Sequence, residues 1–347
     1  MEISAKTLTP EDEVLSRNID DYPDGIIIPI DKPYRWTSAD VIRKVKYAAI
    51  RHFGKKNLKV GHAGTLDPLA TGVLLVCIGK ATKLAEELQS HDKEYVAGVT
   101  FGATTPSYDL EKEIDRFFPH EHISAEAVSE ALPGFLGEQD QVAPLFSAKS
   151  VDGVRAYELA RKLYKTNSGS DSGDPHPVEA GKSSELDSAA EQLLRVSRIH
   201  ITELELLSFA GRNEGLMDRA TRGTEDGIVS DKTNSPADFC NEQSAAAGMG
   251  EVSEANIHEP SSCQHATTAS SRINVTDNSA LGLPRAVIRM ACSKGTYVRA
   301  FARDLGEALG SGAHLDSLQR SRSGIFCVGN ALTVEQALQK LQGVFHN

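Results

Sequence analysis

Two long polar stretches divide this chain of 347 residues and limit how much of it can form a packed core. Residues 166–194 and 211–281 are rich in Ser, Gly, Asp and Glu, and neither has a sustained hydrophobic periodicity. Segments of this composition bury too little apolar surface to offset the entropy lost on ordering. We predict that both are disordered insertions; the alternative is that they form an additional binding module.

The acidic net charge of −11 is concentrated in these same stretches. Residues 166–194 contain six acidic residues and one basic residue, and residues 211–281 contain eleven acidic and five basic residues. Residues 1–24 form an acidic N-terminal segment with seven acidic and two basic residues. The rest of residues 25–347, which we predict to be a single catalytic domain, is basic, so the acidic total does not exclude a polyanionic partner.

Several classes of protein are excluded by simple features of the chain. Residues 1–24 have no apolar run typical of a signal peptide, and no segment approaches the roughly 18 apolar residues of a membrane span. The five cysteines are odd in number and never form a C-x-x-C pair. We therefore expect reduced thiols, no zinc site and a cytoplasmic location.

The stretch Val60–Gly72 reads V-G-H-A-G-T-L-D-P-L-A-T-G and contains one carboxylate, that of Asp67. Its three glycines and Pro68 predict a loop of fixed shape instead of a helix or a regular strand. The apolar run V-L-L-V-C-I over residues 73–78 predicts a buried strand behind it. A rigid loop on a core strand can hold one reactive group in place. From turn chemistry alone, an Asx turn in which Asp67 caps nearby amides explains the residue equally well.

Hydrophobic patterns predict both strands and helices elsewhere in the chain. The predicted strands are residues 25–30, 93–102, 195–209 and 285–292. The pair Thr37 and Asp40 resembles a capping box, which predicts the start of a helix. Further helices are predicted over residues 81–90, 124–132, 157–165, 298–309 and 333–341.

A run of basic residues without any acid lies between Val41 and Leu66. It is a solvated helix face or a phosphate-binding surface, and its position directly before the Asp67 stretch favours the second interpretation. We predict phosphate contacts in this run for Arg43, Lys44, Lys55, Lys56 and Lys59, and further along the chain for Arg320 and Arg322.

Four motifs together resemble the TruB family of pseudouridine synthases, which convert uridine 55 in the T loop of tRNA to pseudouridine. The strongest is G-H-A-G-T-L-D-P-L-A-T-G, which is similar to the family's catalytic loop, and the second is S-K-G-T-Y-V-R over residues 293–299. The others are D-K-P…T-S, in which Arg35 stands where the family usually has glycine, and P-L-F-S-A-K with its lysine displaced. A contiguous match of this length is far more specific than a short spaced pattern.

The resemblance implies an α+β pseudouridine synthase fold with a mixed, mostly antiparallel central sheet, surrounding helices and a catalytic cleft. It assigns Asp67 as the catalytic nucleophile or base, Arg299 as its ion-pair partner, and Tyr95 as the residue that stacks on the flipped uracil and helps to remove its C5 proton. It places His62, Tyr297 and Leu318 in the substrate pocket. Whether Asp67 attacks C6, attacks C1′ or removes a sugar proton is open.

The resemblance also sets expectations about partners. The reaction oxidises nothing and donates no group, so we expect no cofactor and no metal. The expected partner is the tRNA T arm, and we expect a monomer with no obligate protein partner and no membrane contact. Only about twenty residues follow Gly324, which leaves no room for the PUA domain found in many relatives.

Three other functions fit parts of the same pattern. A non-catalytic tRNA-binding or folding chaperone would keep the pocket, but the intact Asp67 argues against it. A glycoside hydrolase needs two carboxylates at the bond, whereas the loop offers one. A guide-RNA-dependent relative is disfavoured by the L-A-T-G end of the loop and by the absence of the PUA domain.

Overall fold

The computed structural model describes residues 3–144, 150–151, 154–155, 196–211 and 273–342. The helix predicted to end at residue 165, the insertion predicted at 166–194 and most of that predicted at 211–281 lie outside these ranges.

The described part of the chain contains both strands and helices. The strands, in chain order, are β1 Lys6–Thr7, β2 Ile26–Lys32, β3 Val60–Ala63, β4 Ala70–Ile78, β5 Lys93–Phe101, β6 Ala103–Thr104, β7 Arg116–Phe117, β8 Gly137–Val142, β9 Ser150–Val151, β10 Val154–Arg155, β11 Val196–Ala210, β12 Arg285–Cys292, β13 Ala313–Ser323 and β14 Phe326–Cys327. The α-helices are α1 Ser38–Phe53, α2 Ala85–Ser90, α3 Ala125–Ala131, α4 Val298–Ala308 and α5 Val334–Gln342. No helix among the described residues is long and apolar enough to cross a membrane.

The chain divides into two compact units. Of the described residues, the first unit contains 3–91, 273 and 319–342, and the second contains 92–144, 150–151, 154–155, 196–211 and 274–318. Strand β13 therefore contributes its first residues to the second unit and its last residues to the first. The prediction of a single catalytic domain stays a prediction.

The first unit is built around β4. This strand pairs antiparallel with both β2 and β3, and all of its residues except Thr71 are buried. Apolar side chains on both faces explain this burial, because a strand covered on both sides has no polar face. The acidic N-terminal segment belongs to the same unit, since β1 pairs parallel with β2 and Leu8 is fully buried.

Helix α1 begins where its sequence predicts. Thr37 and Asp40 form the predicted capping box, with each side chain bonded to the other residue's backbone amide. Gly54 ends the helix in the left-handed conformation at φ 62°. The buried face includes Val41 and Val45, which leaves the basic side chains on the outer face.

The second unit is an antiparallel sheet in the order β5–β12–β11–β8, with the first part of β13 on the other side of β5. Strand β12 pairs along its whole length with β5, from Arg285 opposite Thr100 to Cys292 opposite Lys93. Its apolar core is formed by these strands with α3 and α4, whose residues Val128, Phe301 and Leu305 are buried there. Together with the mixed pairing in the first unit, this confirms the predicted α+β class.

Three local predictions need correction. Residues 60–63 form strand β3, so only residues 64–69 of the predicted loop are a loop. The backbone of β3 hydrogen-bonds to β4, and this pairing stabilises the strand despite Gly61. Residues 313–323 form a strand that the polar sequence did not indicate. Residues 273–281 are described and include the 3₁₀ helix Ser279–Leu281, so the prediction of disorder does not hold for this end of the stretch 211–281.

Candidate active site

Asp67 lies half-buried in the short loop between β3 and β4 in the first unit. The residue before it is held by the buried side chain of Ser38, whose hydroxyl accepts from the Leu66 N–H at 3.0 Å and donates to the Leu66 carbonyl at 3.2 Å. The Asp67 carbonyl accepts from the Ala70 N–H at 3.1 Å, which closes the turn into β4. The loop is therefore fixed at its backbone on both sides of the carboxylate.

The residue after Asp67 is held by a buried lysine. The Lys32 ammonium is fully buried and donates to the carbonyl oxygens of Trp36 at 2.6 Å, Pro33 at 2.9 Å and Pro68 at 3.1 Å. Burial lowers the pKa of Lys32 to about 7, while the Asp67 carboxylate acts in the opposite direction. Lys32 thus places a positive charge under the loop and joins it to the β2–α1 connection.

Arg35 also contacts the loop, from a strained backbone conformation. Its φ is 64°, in the left-handed region that favours glycine, and its N–H donates to the Pro68 carbonyl at 3.0 Å. Its Nη2 donates to the carbonyl of Ile273 at 2.6 Å. Arginine at this position keeps the loop shape that glycine would give and adds a side-chain bond to residue 273.

Arg320 is part of the scaffold of the same loop. Its side chain is 2% exposed and donates to the carbonyl oxygens of Val73 at 2.7 Å and Gly64 at 3.3 Å. Its backbone lies so close to Gly72 that a Cβ there would be 2.2 Å from the Arg320 oxygen. This burial contradicts the phosphate contact predicted for Arg320, because the guanidinium binds backbone inside the first unit.

His62 lies on β3, five residues before Asp67, and is half-buried. Burial lowers the pKa of its imidazole, and the positive charge of Arg320 lowers it further. The ring is therefore neutral at physiological pH, the state that suits stacking against a nucleotide.

In the second unit, the start of α4 carries two of the predicted residues. Tyr297 occupies the N-cap position, and its N–H donates to Oε1 of Gln141 at 2.8 Å. The Gln141 amide in turn donates to the Tyr297 carbonyl at 3.2 Å. Gln141 is only 3% exposed, so one buried side chain on β8 holds both backbone groups of Tyr297.

Arg299 follows on the first turn of α4 and is 5% exposed. Its Nε lies 3.8 Å from Oδ2 of Asp109, and its Nη1 donates to the Ser107 carbonyl at 3.1 Å. Asp109 is itself held by the Ser107 hydroxyl at 2.6 Å and by the Glu111 N–H at 2.9 Å. The second unit therefore supplies a buried carboxylate that neutralises and orients the guanidinium.

Tyr95 and Leu318 complete the predicted pocket residues of the second unit. Tyr95 is on β5 opposite Met290 of β12, and Leu318 is on β13. Both are half-buried and pack against the apolar core. Asp67 and His62 belong to the first unit, whereas Tyr95, Tyr297, Arg299 and Leu318 belong to the second, so the Asp67–Arg299 ion pair stays a prediction.

The remaining basic residues lie at the surface of the first unit. Arg43, Lys44, Lys55, Lys56 and Lys59 are exposed, with Arg43 paired to Asp40 at 2.8 Å and Lys44 above the Trp36 ring at 5.3 Å. Arg322 is half-buried and donates to the Gly324 carbonyl at 3.4 Å. The five exposed side chains are accessible to a phosphate, and their phosphate contacts stay a prediction. Among the described residues, no group of three His, Cys, Asp or Glu side chains is placed to bind a metal.

Comparison with known proteins identifies the family. A sequence profile described as TruB family pseudouridylate synthase (N terminal domain) matches residues 51–171. The tRNA pseudouridine synthase B of Phocaeicola vulgatus is 39% identical over 314 residues, which cover 90% of this chain and 92% of that protein. The chain belongs to the TruB family. The tRNA pseudouridine synthase B of Bacteroides thetaiotaomicron is likewise 40% identical over 300 residues, 86% of each chain.

A solved structure titled as a Cbf5–Nop10–Gar1 complex contains a chain that is 20% identical to this TruB-family protein, with a TM-score of 0.46. The alignment covers 93% of the present chain, which spans 56% of the length of that chain.

Four residues that position the site in this TruB-family protein were not assigned a role from the sequence: Lys32, Ser38, Asp109 and Gln141. Lys32 and Ser38 lie inside the D-K-P…T-S motif, so the motif itself was the available signal. The sequence gives no such signal for Asp109 and Gln141. Both are polar residues that would usually be exposed, and only the structure shows that they are buried.

Proposed function

We propose that this TruB-family protein isomerises uridine 55 in the T loop of tRNA to pseudouridine, with Asp67 as the reacting group. The observation that carries the proposal is the placement of Asp67. Its loop is fixed through Leu66 and Pro68 by the buried side chains of Ser38 and Lys32. The names of relatives that match almost the whole chain support tRNA as the substrate.

The reaction breaks the N1–C1′ bond of the uridine and forms a C5–C1′ bond. N1 gains a proton and C5 loses one, so the atoms and electrons balance without an oxidant or a donor group. A base inside a folded T loop must first be extruded to expose C1′ and C5. Asp67 acts in its ionised form, which a nearby guanidinium favours, and Arg299 is proposed for that role.

The other residues are assigned positions around the extruded nucleotide. His62, with its neutral imidazole, braces the RNA where the base has left the stack. Tyr95 stacks on the flipped uracil and helps to remove the C5 proton, and Tyr297 and Leu318 line the pocket. The protein is proposed to work in the cytoplasm as a monomer, without a cofactor, on the T arm of tRNA.

The deciding experiment replaces Asp67 by asparagine, which keeps the size of the side chain and removes its charge. We expect Asp67→Asn to bind a T-arm stem–loop with an unchanged Kd and to lose all measurable pseudouridine formation, since loss of a group of this kind costs at least about 10²- to 10⁴-fold. Pseudouridine is measured by mass mapping of the RNA. Asp24→Asn, which removes an exposed carboxylate elsewhere in the first unit, is the matched control.

Turnover by Asp67→Asn at more than a few per cent of the wild-type rate would refute the assignment. If the wild-type protein itself binds the stem–loop tightly and forms no pseudouridine, the non-catalytic binding protein becomes the better description.

A further inference from the structure

A hollow of about 520 Å³ lies on the surface of the first unit, away from the Asp67 loop. Three stretches of chain meet there: the N-terminal segment at residues 19–23, the α1–β3 connection at residues 55–59, and the 3₁₀ helix Gly79–Leu84 after β4. We call it the lysine hollow, because its lining includes Lys55, Lys59, Lys80 and Lys83.

The four lysines give the hollow a strong positive charge. Its lining contains one carboxylate, that of Asp20, so the net charge of the lining is +3 in a chain whose total is −11. All four lysines are exposed, and none of them takes part in an ion pair with any residue that the structure describes. Four like charges gathered without partners repel each other, and a bound polyanion relieves this repulsion.

The walls of the hollow are fixed by contacts inside the first unit. The Tyr22 ring packs edge-on against Phe53 at 6.2 Å, and the Gly25 N–H donates to the Tyr22 carbonyl at 2.9 Å. On the opposite wall, the Gly79 N–H donates to the Lys59 carbonyl at 2.9 Å, which joins two of the lysine-bearing stretches. Leu58 is buried beneath them. The lysines therefore project from a preformed frame.

The hollow and Asp67 lie at opposite ends of β4. The Asp67 loop precedes Ala70, and Gly79 of the hollow follows Ile78. The nine residues of β4 span about 30 Å at about 3.4 Å per residue. A ligand in the hollow is therefore remote from the target base.

We propose that the lysine hollow binds backbone phosphates of tRNA outside the T loop. This inference rests on the proposed function for the identity of the RNA. Flexible ammonium groups that are exposed around an open hollow suit a chain of phosphates, and they make no contact that distinguishes one base from another. The site therefore contributes affinity for the whole tRNA and leaves the chemistry at uridine 55 unchanged.

The test reverses two charges that lie outside the predicted active site. Lys80→Glu with Lys83→Glu changes the lining by four charge units, and the control Arg17→Glu with Arg116→Glu makes the same change at two exposed positions outside the hollow. Binding of full-length tRNA and of the isolated T-arm stem–loop is measured between 50 and 200 mM salt.

We expect the double variant to raise the Kd for full-length tRNA about tenfold relative to the control. The slope of log Kd against log salt should fall by about 1.5, since each lost phosphate contact removes about 0.7 to 0.9. The Kd for the stem–loop and the kcat on it should stay within about twofold of the wild type. Lys80→Ala with Lys83→Ala, a milder change, provides the same comparison if charge reversal impairs folding.

An unchanged Kd for full-length tRNA relative to the control overturns the proposal. An equal loss of affinity for tRNA and for the stem–loop also overturns it, because the contact would then be to the T arm. These outcomes are binding measurements, so they are separate from any failure of the proposed catalytic function, which appears as absent turnover.

Discussion

The two units hold their predicted site residues in different ways. In the first unit, Lys32, Ser38 and Arg320 bind backbone atoms of the Asp67 loop, so they fix the path of the chain. In the second unit, Asp109 binds the functional group of Arg299 itself. The backbone contacts of the first unit determine where the Asp67 carboxylate lies. The contact of Asp109 with Arg299 also determines the charge around the guanidinium.

This difference predicts different consequences of mutation. Loss of a side-chain contact to the backbone in the first unit removes a donor from a carbonyl of the loop or of the β2–α1 connection, which costs free energy of unfolding. Loss of Asp109 in the second unit removes a buried carboxylate from beside the Arg299 guanidinium, which costs stability and also changes how Arg299 is presented.

The largest effect is expected at the Arg299–Asp109 pair. Asp109→Asn should lower the free energy of unfolding by about 3 kcal/mol, because both side chains are less than a tenth exposed. It should lower kcat more than it raises KM, since Arg299 loses its orientation. Denaturant unfolding and single-turnover kinetics measure the two effects. Asp115→Asn, at an exposed carboxylate bonded to Thr104, is the control. A variant that loses only RNA affinity would show that Arg299 serves in binding.

Lys32 provides the sharpest test of the first unit. Lys32→Met should lower the free energy of unfolding by about 1 to 3 kcal/mol, because the carbonyls of Pro33, Trp36 and Pro68 lose their common donor. Chemical denaturation of both proteins at pH 6 and at pH 9 measures this loss.

The same pair of proteins tests the depressed pKa of Lys32. Its pKa is lowered from 10.5 to about 7 in the folded state, so between these values the unfolded chain binds the proton more tightly. The contribution of Lys32 to the free energy of unfolding is therefore lowest below pH 7 and rises with pH up to about 10.5. The rise should be present in the wild type and absent in Lys32→Met. Equal pH dependence in both proteins would show that Lys32 keeps its usual pKa.

Gln141 tests whether the second unit also depends on a backbone contact. Gln141→Leu should cost about 1 to 3 kcal/mol, since it removes the Gln141 acceptor of the Tyr297 N–H and one of the donors to the Tyr297 carbonyl, which keeps its bond from the Phe301 N–H. Gln141→Glu keeps the acceptor for the N–H but buries a carboxylate against the Tyr297 carbonyl, so it should cost at least as much. If kcat falls in the same order while KM is unchanged, Gln141 positions the start of α4. A loss of stability with normal kcat would make its role purely structural.

The smallest effect is expected at Arg35, where strain and a side-chain contact oppose each other. Arg35→Ala keeps the left-handed backbone and loses the bond to Ile273, whereas Arg35→Gly loses the same bond and relieves the strain. The glycine variant should therefore be more stable than the alanine variant by about 1 kcal/mol. Thermal unfolding of the two variants side by side measures this difference, and a more stable alanine variant would contradict it.

Much of the first unit was readable from the sequence because its signals are local. The twelve-residue loop motif is contiguous, and the Thr37–Asp40 capping box spans four positions. Strand β3 was not predicted because Gly61 and Gly64 favour a loop in its short sequence. The pairing with β4 that stabilises it involves residues further along the chain, so the sequence of β3 does not indicate it.

The supporting contacts of the second unit were not readable because they join distant parts of the chain. Gln141 and Tyr297 are 156 positions apart, and Ser107 and Arg299 are 192 apart. Arg320 is a similar case in the first unit. An arginine in a polar stretch is expected to be exposed, and its burial follows from a bond to Gly64, which is 256 positions away.

Strand β4 joins the loop of Asp67 to the lysine hollow, and its near-complete burial has a consequence for substrate selection. A strand buried on both faces and paired with its neighbours is held in a close-packed interior, so the spacing between its two ends varies little. Under the two proposals above, this strand sets the distance between the target uridine at Asp67 and the tRNA phosphates bound at the hollow.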